Sequence, residues 1–232
     1  IKKGIKLNIF AIANSTKLVI NETGINENWK SEIATNGEAY DVQDIIKYAK
    51  ENHLENLIAV DNTASSSFVE NYVTLIESGF DVVSSNKIAN TLSYGFYKEI
   101  RQVLQDNQKN YLYETNVGAG LPLIDTIKLL HLSGENITKI KGVFSGTLSY
   151  IFNHFSVEDK PFSEVLKEAI ALGFTEPDPR EDLCGNDVAR KLLILARELD
   201  LQNELNEIEV QNLIPVELRS LTTTNFLENL NL

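Results

Sequence analysis

The chain has a single cysteine, Cys184, among 232 residues. That excludes an internal disulfide and fits a reducing compartment, the cytoplasm. Methionine is absent altogether, so the chain is not expected to start at an initiator residue. No apolar run approaches the ~20 residues needed to cross a bilayer, and no secretory leader is visible. Positive charge is also scarce: 21 Lys and Arg stand against 33 Asp and Glu, for a formal net charge of −12. Nucleic acid and anionic membranes are therefore poor partners. His53, His131 and His154 make no metal-ligand spacing. One further absence bears on the fold. A dinucleotide fold normally opens with a strand, G-x-G-x-x-G and a helix, so that a pyrophosphate meets free backbone N–H groups. No such sequence precedes Leu7.

What is present is ordinary for a globular protein: 43% hydrophobic and 23% charged residues, enough for one large domain or two modest ones. The first half alternates short apolar runs with amphipathic segments. Leu7 to Ala13 has the pattern of a buried strand. Val42, Ile45, Ile46 and Ala49 recur at helical spacing. Leu57 to Val60 is a second strand, ending at Asp61-Asn62-Thr63. Phe68, Tyr72, Leu75 and Ile76 predict a helix that stops at Gly79. Asp81 to Ser84 is a third strand, Tyr94 to Leu104 a longer helix, and Asn110 to Tyr113 a fourth strand. Strands alternating with helices imply βαβ units and a parallel sheet. In such sheets ligands lie beyond the carboxyl ends of the strands. The positions to watch are therefore Asn14, Asn62-Thr63, Ser85 to Lys87, and Thr115-Asn116.

The pattern changes near Asn116. Val117-Gly-Ala-Gly-Leu-Pro122 is a glycine-rich bend, followed by a helix to about Leu132, a strand-like run from Ile137 to Phe144, and a helix opened by Ser145-Gly-Thr147. Two more helices are expected, at Phe162 to Leu172 and Asp187 to Leu199. The expected architecture is α/β: residues 1–115 form a Rossmann-like parallel sheet lacking its first strand and glycine-rich loop. Residues 116–232 form an incomplete α+β domain for substrate binding and dimerisation. In the second domain, the apolar run from Ile137 to Phe144 offers a strand that would continue a sheet across a two-fold axis.

The densest polar cluster runs from Gly173 to Lys191. It sets Glu176, Asp178, Glu181, Asp182 and Asp187 against Arg180, Arg190 and Lys191. Two prolines stiffen it. Asp187 is placed to cap the helix it opens, and it shares a helix face with Lys191, four residues on. Val188, Leu192 and Leu195 are the expected buried stripe. This is either a capped helix with a surface ion pair or a proton-transfer lysine held by carboxylates. Lys87, after a strand end and a Ser-Ser-Asn bend, is either a solvated lysine or a ligand-facing one. Asn62-Thr63 is either a helix cap or part of a ligand loop. Gly118 and Gly120 permit an ordinary tight turn, or carbonyls turned towards an alkali cation with Glu114 just upstream. Cys184 is a packing residue or an acylating nucleophile.

Five stretches carry a resemblance. They are Val60-Asp-Asn-Thr-Ala-Ser65, Ser85-Asn-Lys-Ile-Ala-Asn-Thr91, Glu114-Thr-Asn-Val-Gly-Ala-Gly-Leu-Pro122, Gly142-Val-Phe-Ser-Gly-Thr-Leu-Ser-Tyr-Ile-Phe-Asn153 and Gly173 to Lys191. In this order they resemble homoserine dehydrogenase across nearly the whole chain. The Thr-Glu-Pro-Asp-Pro-Arg-Glu-Asp form, with the helix after it, looks most like enzymes fused behind an aspartokinase. The resemblance implies reversible NAD(P)H-linked reduction of aspartate semialdehyde to homoserine, on the way to threonine and methionine. It implies that Lys191 exchanges a proton with the substrate oxygen and that Asp182 orients it. Gly173, Glu176, Asp182 and Asp187 would line the substrate pocket. Lys87 would sit between cofactor and substrate, Asn62, Thr63 and Ala64 beside the nicotinamide cofactor, and Asn14 near its adenosine end. Glu114 and the carbonyls of Val117, Ala119 and Leu121 match a monovalent-cation site, normally sodium. A homodimer or higher homo-oligomer is expected.

Ala64 stands where the family more often has serine. The chain is expected to begin at the second strand of the fold and to end before the segment that returns to the nucleotide domain, so by itself it would bind cofactor poorly. NADP is favoured over NAD because no acid follows Ala13 until Glu22, and Lys17 is near enough to approach a 2′-phosphate. Two rival readings are an acylating semialdehyde dehydrogenase using Cys184, and a non-catalytic fragment that dimerises or transmits regulation.

Overall fold

The computed structural model describes residues 4–230. Two short strands, β1 (Ala11–Ala13) and β2 (Leu18–Ile20), make an antiparallel hairpin, and α1 (Trp29–Asn36) and α2 (Val42–Glu51) follow. Then come β3 (Ile58–Asp61), α3 (Ser66–Val69), α4 (Tyr72–Glu77), β4 (Asp81–Ser84), α5 (Tyr94–Asn107) and β5 (Tyr111–Leu112). Strands β3, β4 and β5 pair in that order, and both ladders are parallel. The second half is helical: α6 (Leu123–Leu132), α7 (Gly146–Phe155), α8 (Phe162–Ala171), α9 (Arg180–Leu183), α10 (Asn186–Arg197) and α11 (Thr223–Glu228).

The local causes are readable. Asp41 and Asp44 form a reciprocal capping box that starts α2. Val42, Ile46 and Ala49 turn inward against Leu57, Leu75 and Phe80. A second cluster, around Tyr72, Ile76, Val82, Ile100 and Tyr111, fills the space between β4, α4 and α5. Gly79 sits at φ +95°, a left-handed conformation that lets the chain leave α4 and enter β4 directly. In the helical half, Ile151, Val165, Leu166, Leu183, Ile214 and Phe226 form one core. Val117, Ile124, Ile127, Ile194 and Leu195 form another, beneath α6 and α10.

Several expectations change. Leu7 to Ala13 is not a buried strand of the parallel sheet. Only Ala11–Ala13 is extended into a ladder, its partner is the next segment of chain, and Leu7 and Ile9 are exposed. A cleft of about 640 Å³ separates β1 from β3, so the two strands exchange no backbone bonds. The helix expected through Phe68 and Ile76 is broken at Glu70-Asn71 into α3 and α4. Ile137 to Phe144 forms no strand. Its Ile137, Ile140 and Phe144 pack down onto the core under α10 while Val143 stays exposed. On α10 the buried stripe is Ala189, Leu193, Ile194, Leu195 and Arg197. Val188 and Leu192 are only half-buried.

Candidate active site

The loops that leave the parallel sheet are held by one buried carboxylate. Asp61, at the end of β3, accepts from Thr63 N–H (2.8 Å), the Tyr72 hydroxyl (2.6 Å) and Asn86 Nδ2 (3.1 Å). Burial, with Tyr111 and Asp61 nearby, drives the Tyr72 hydroxyl far above its ordinary range. It therefore remains a donor at any working pH. Ser84 Oγ lies 2.8 Å from that hydroxyl and accepts from Asn86 N–H. The network fixes residues 61–65 and 84–87 to each other at the carboxyl edge of the sheet. Asp61 went unremarked as a site residue in the sequence. An acid closing an apolar strand is the signal that marks it.

Thr63 Oγ1 accepts from Ser65 N–H, and Ser65, not Asn62 or Thr63, caps the following helix. Thr63 and Ala64 line the cleft between β1 and β3, together with Ala13, Asn14 and Ser15 from the opposite side. Asn62 lies beside that lining, with its Oδ1 accepting from Ser85 Oγ (3.3 Å). Asn14 Oδ1 accepts from the N–H groups of Thr16 and Lys17 and closes the β1–β2 turn. Lys17 does not reach into the cleft. Its Nζ donates to the Ala34 carbonyl (3.0 Å), near the C-terminal end of α1, where the helix dipole favours a cation.

Lys87 meets the helical half. Its Nζ is 3.3 Å from Asp187 Oδ1, and Lys191 Nζ is 2.6 Å from Asp187 Oδ2. One carboxylate thus bridges two ammonium groups that are 104 residues apart in sequence (191 − 87). Lys191 also donates to the Phe144 carbonyl (2.7 Å). Burial pushes the Asp187 carboxyl up. The Lys191 hydrogen bond and the Lys87 charge outweigh that and hold it below the ordinary carboxylate value. Asp187 does not cap α10: the cap position is Gly185, at φ +78°, and Asp187 sits in the first turn.

Asp182, the acid expected to orient Lys191, accepts from the backbone N–H of Glu176 through Oδ2 (2.8 Å), and the carboxylate paired with Lys191 is that of Asp187. The Asp182 contact shapes the loop leading into α9 and leaves the Glu176 side chain exposed. Gly173, at φ +72°, ends α8, with its N–H on the Ile170 carbonyl and Phe174 N–H on that of Ala169. Asp178 is tied to Arg180, whose guanidinium holds that carboxyl well below its usual range.

Among the described residues no group of three or more His, Cys, Asp or Glu is arranged to hold a metal ion. At the glycine-rich bend, Gly118 and Ala119 both have positive φ (82° and 51°). The Glu114 carboxylate accepts from Ile124 N–H (2.8 Å) and Asp125 N–H (3.0 Å) at the start of α6. The Leu121 carbonyl accepts from Leu123 N–H. Each of these oxygens keeps a lone pair, and with the carbonyls of Val117 and Ala119 the donor set is all oxygen, which suits a hard alkali cation. Cys184 donates to the Glu181 carbonyl (3.3 Å) and packs against the core of the helical half. That is the contact pattern of a packing thiol, not of an activated nucleophile.

Strand-end loops facing a cleft on one side, and a lysine–carboxylate–lysine bridge on the other, define an α/β protein with a polar site at the carboxyl edge of its parallel sheet. Comparison narrows the class. Residues 2–114 match the family model described as homoserine dehydrogenase, NAD binding domain, and residues 122–229 match the one described as homoserine dehydrogenase. The chain belongs to the homoserine dehydrogenase family. It is 45% identical, over 92% of its length, to a bifunctional aspartokinase/homoserine dehydrogenase of Buchnera aphidicola, of which it spans 26%. Among solved structures it is similar to a protein of unknown function from Candida auris (33% identity, TM-score 0.89, all of this chain and 66% of that one). It is also similar to a hyperthermophilic archaeal homoserine dehydrogenase in complex with NADPH (27% identity, TM-score 0.69, 84% and 61%). The chain thus spans about a quarter of the curated relatives it matches. No helix among the described residues is long and apolar enough to cross a membrane.

Proposed function

We propose that the protein of which this chain is part catalyses the reversible NAD(P)H-linked reduction of L-aspartate 4-semialdehyde to L-homoserine. The observation that carries the reading is the bridge of Lys87 and Lys191 on Asp187, in a chain of this family. The nicotinamide, when bound, supplies the hydride or takes it back. The chain's residues do the rest. As hydride reaches the aldehyde carbon, negative charge grows on oxygen. The Lys191 ammonium stabilises that charge and delivers a proton, and in the reverse direction the amine takes the proton from the hydroxyl. Asp187 positions both lysines, and Lys87 lies on the cofactor side of the bridge. Glu176, exposed on its loop, pairs with the substrate ammonium, and Gly173 and Asp182 shape that loop.

Residues 1–115 serve the cofactor, through Asn14, Asn62, Thr63, Ala64 and Lys87. Residues 116–232 serve the substrate. Glu114 with the carbonyls of Val117, Ala119 and Leu121 holds a monovalent cation, sodium, that stiffens the link between them. An aspartokinase domain fused to this one, and the cytoplasm as compartment, complete the reading. The contacts of Cys184 and the family membership leave neither rival with support.

The assay is homoserine-dependent reduction of NADP by the full-length protein, with NAD compared alongside. No acid follows β1 directly. Of the two acids lining the cleft, Asp41 accepts from Gln43 N–H at the start of α2 and Asp61 is buried in its own network. Asp41 keeps its negative charge but stands at the cap of α2 and not directly after β1, where an NAD-selective acid would stand, while Lys17, occupied at α1, supplies no attraction. NADP(H) is therefore accepted at least as well as NAD(H). A kcat/KM for NADH more than about tenfold above that for NADPH, roughly 1.4 kcal/mol, would place the ribose elsewhere.

The assembly is a homodimer built on the second domain, which leaves Leu129, Leu132 and Val143 exposed. Sedimentation at micromolar concentration is expected to give the dimer mass. A monomer there overturns it.

A further inference from the structure

The bridge of two lysines on Asp187 needs an explanation of its own. An ion pair between a lysine with a flexible four-carbon stem and a carboxylate that is 45% exposed is weak and easily exchanged for water. Something must bring the backbone at Lys87 to the first turn of α10 and keep it there. The residues that do so lie on α10 itself. Arg190 Nη1 donates to Thr91 Oγ1 (2.7 Å), and Thr91 Oγ1 donates to the Lys87 carbonyl (3.0 Å). The Thr91 hydroxyl, almost fully buried, thus relays a contact from the residue beside Lys191 to the peptide of Lys87.

Two turns further along the same helix face, Arg197 repeats the contact. Its Nη1 donates to the carbonyls of Asn90 and Leu92 (both 2.9 Å), and its Nη2 to Asn203 O (3.1 Å) and Glu204 (3.2 Å). Its side chain is fully buried, with the guanidinium 5.1 Å from the Tyr97 ring. Anchors seven residues apart on a helix are about 10 Å apart. Two such points fix both the position and the rotation of residues 90–92 against α10, which one point cannot.

We infer that Arg190 and Arg197 form a clamp on residues 90–92, and that Arg190, through the Thr91 hydroxyl, is a positioning residue that sets Lys87 against Asp187. The inference rests on the proposed reaction for its kinetic consequence, but not for its structural one. Arg190 touches neither lysine ammonium and acts only through Lys87.

The test uses the full-length protein with Arg190→Met, which keeps the stem and is only half-buried, and Thr91→Val as an independent break in the same relay. Arg197 is too deeply buried to serve as the main probe. In each variant kcat for homoserine oxidation is expected to fall about tenfold, as for a misplacement well under 1 Å. The combination Lys87→Ala with Arg190→Met is expected to lose no more than Lys87→Ala alone. Multiplying losses would show that Arg190 acts independently of Lys87, and would overturn the inference.

A second readout does not depend on turnover. In competitive acetylation with acetic anhydride, read by mass spectrometry, Lys87 is expected to label several-fold faster in Arg190→Met than in the parent, while exposed Lys47 keeps its rate. An unchanged Lys87 rate overturns the clamp whatever the activity shows. A parent protein without homoserine-dependent activity, but with the Lys87 labelling change, would sink the proposed reaction and leave the clamp standing.

Discussion

Replacing Lys191 with alanine is expected to lower kcat by 10² to 10⁴, roughly 3–5 kcal/mol of transition-state stabilisation, while the dissociation constant for the cofactor stays within about twofold. The asymmetry follows from position. Lys191 lies on α10, with its ammonium between Asp187 and the Phe144 carbonyl, and not in the cleft lined by Asn14, Thr63 and Ala64. The fold should survive the change, because the stripe of α10 that anchors it is Ala189, Leu193, Ile194 and Leu195, and Lys191 is not among them. Single-turnover kinetics and a cofactor titration on the same preparation separate the two quantities. A variant that turns over normally at saturating cofactor, but binds it poorly, removes Lys191 from proton transfer.

How far such a site can be read from sequence depends on the distance over which each relation acts. The pairing of Asp187 with Lys191 is four residues long, and helical geometry makes it legible. So is α2, where Val42, Ile46 and Ala49 keep a 3.6-residue period behind the Asp41 cap. The role of Asp187 as a bridge was not legible, because its second partner, Lys87, is 100 residues away (187 − 87). The four-residue spacing already favours Asp187 over Asp182 as the acid that meets Lys191; only the family resemblance pointed to Asp182. Their difference lies in backbone geometry: Asp182 turns back to the Glu176 N–H, while Asp187 rides the first turn of a helix.

The two strand expectations that failed have a similar cause. Leu7 to Ala13 is as apolar as a central strand, but hydrophobicity does not name a pairing partner, and the hairpin with Leu18–Ile20 supplies one nearby. Ile137, Ile140 and Phe144 need burial, and the face of α6 and α10 supplies it without any ladder. That β3, β4 and β5 lie in a parallel sheet was legible because helices separate them and β3 and β4 are punctuated, by Asp61 to Thr63, by Gly79 and by Ser84 to Asn86.

Substituting Asp187 with asparagine is expected to cost on the order of 10² in kcat/KM, from displacement of both lysines by a fraction of an ångström to about 1 Å. Asparagine keeps the shape and one acceptor, so the loss isolates the charge. Without the carboxylate, two ammonium groups face one another across a partly buried gap, and each turns towards water or another acceptor. The pH dependence supplies the signature. Asp187 has its carboxyl held below the ordinary value in the folded protein by Lys191 and Lys87. Its contribution to stability is therefore fully present above the unfolded carboxylate value of about 3.9. It is lost as pH falls through the lower, folded value. Parent and variant should differ in thermal stability by a constant margin across neutral pH, and that margin should close only under acid conditions below the usual aspartate range. A margin that closes between pH 5 and 7 would mean that the carboxylate is not held by the two lysines, and the bridge on which the proposed reaction depends would have to be abandoned.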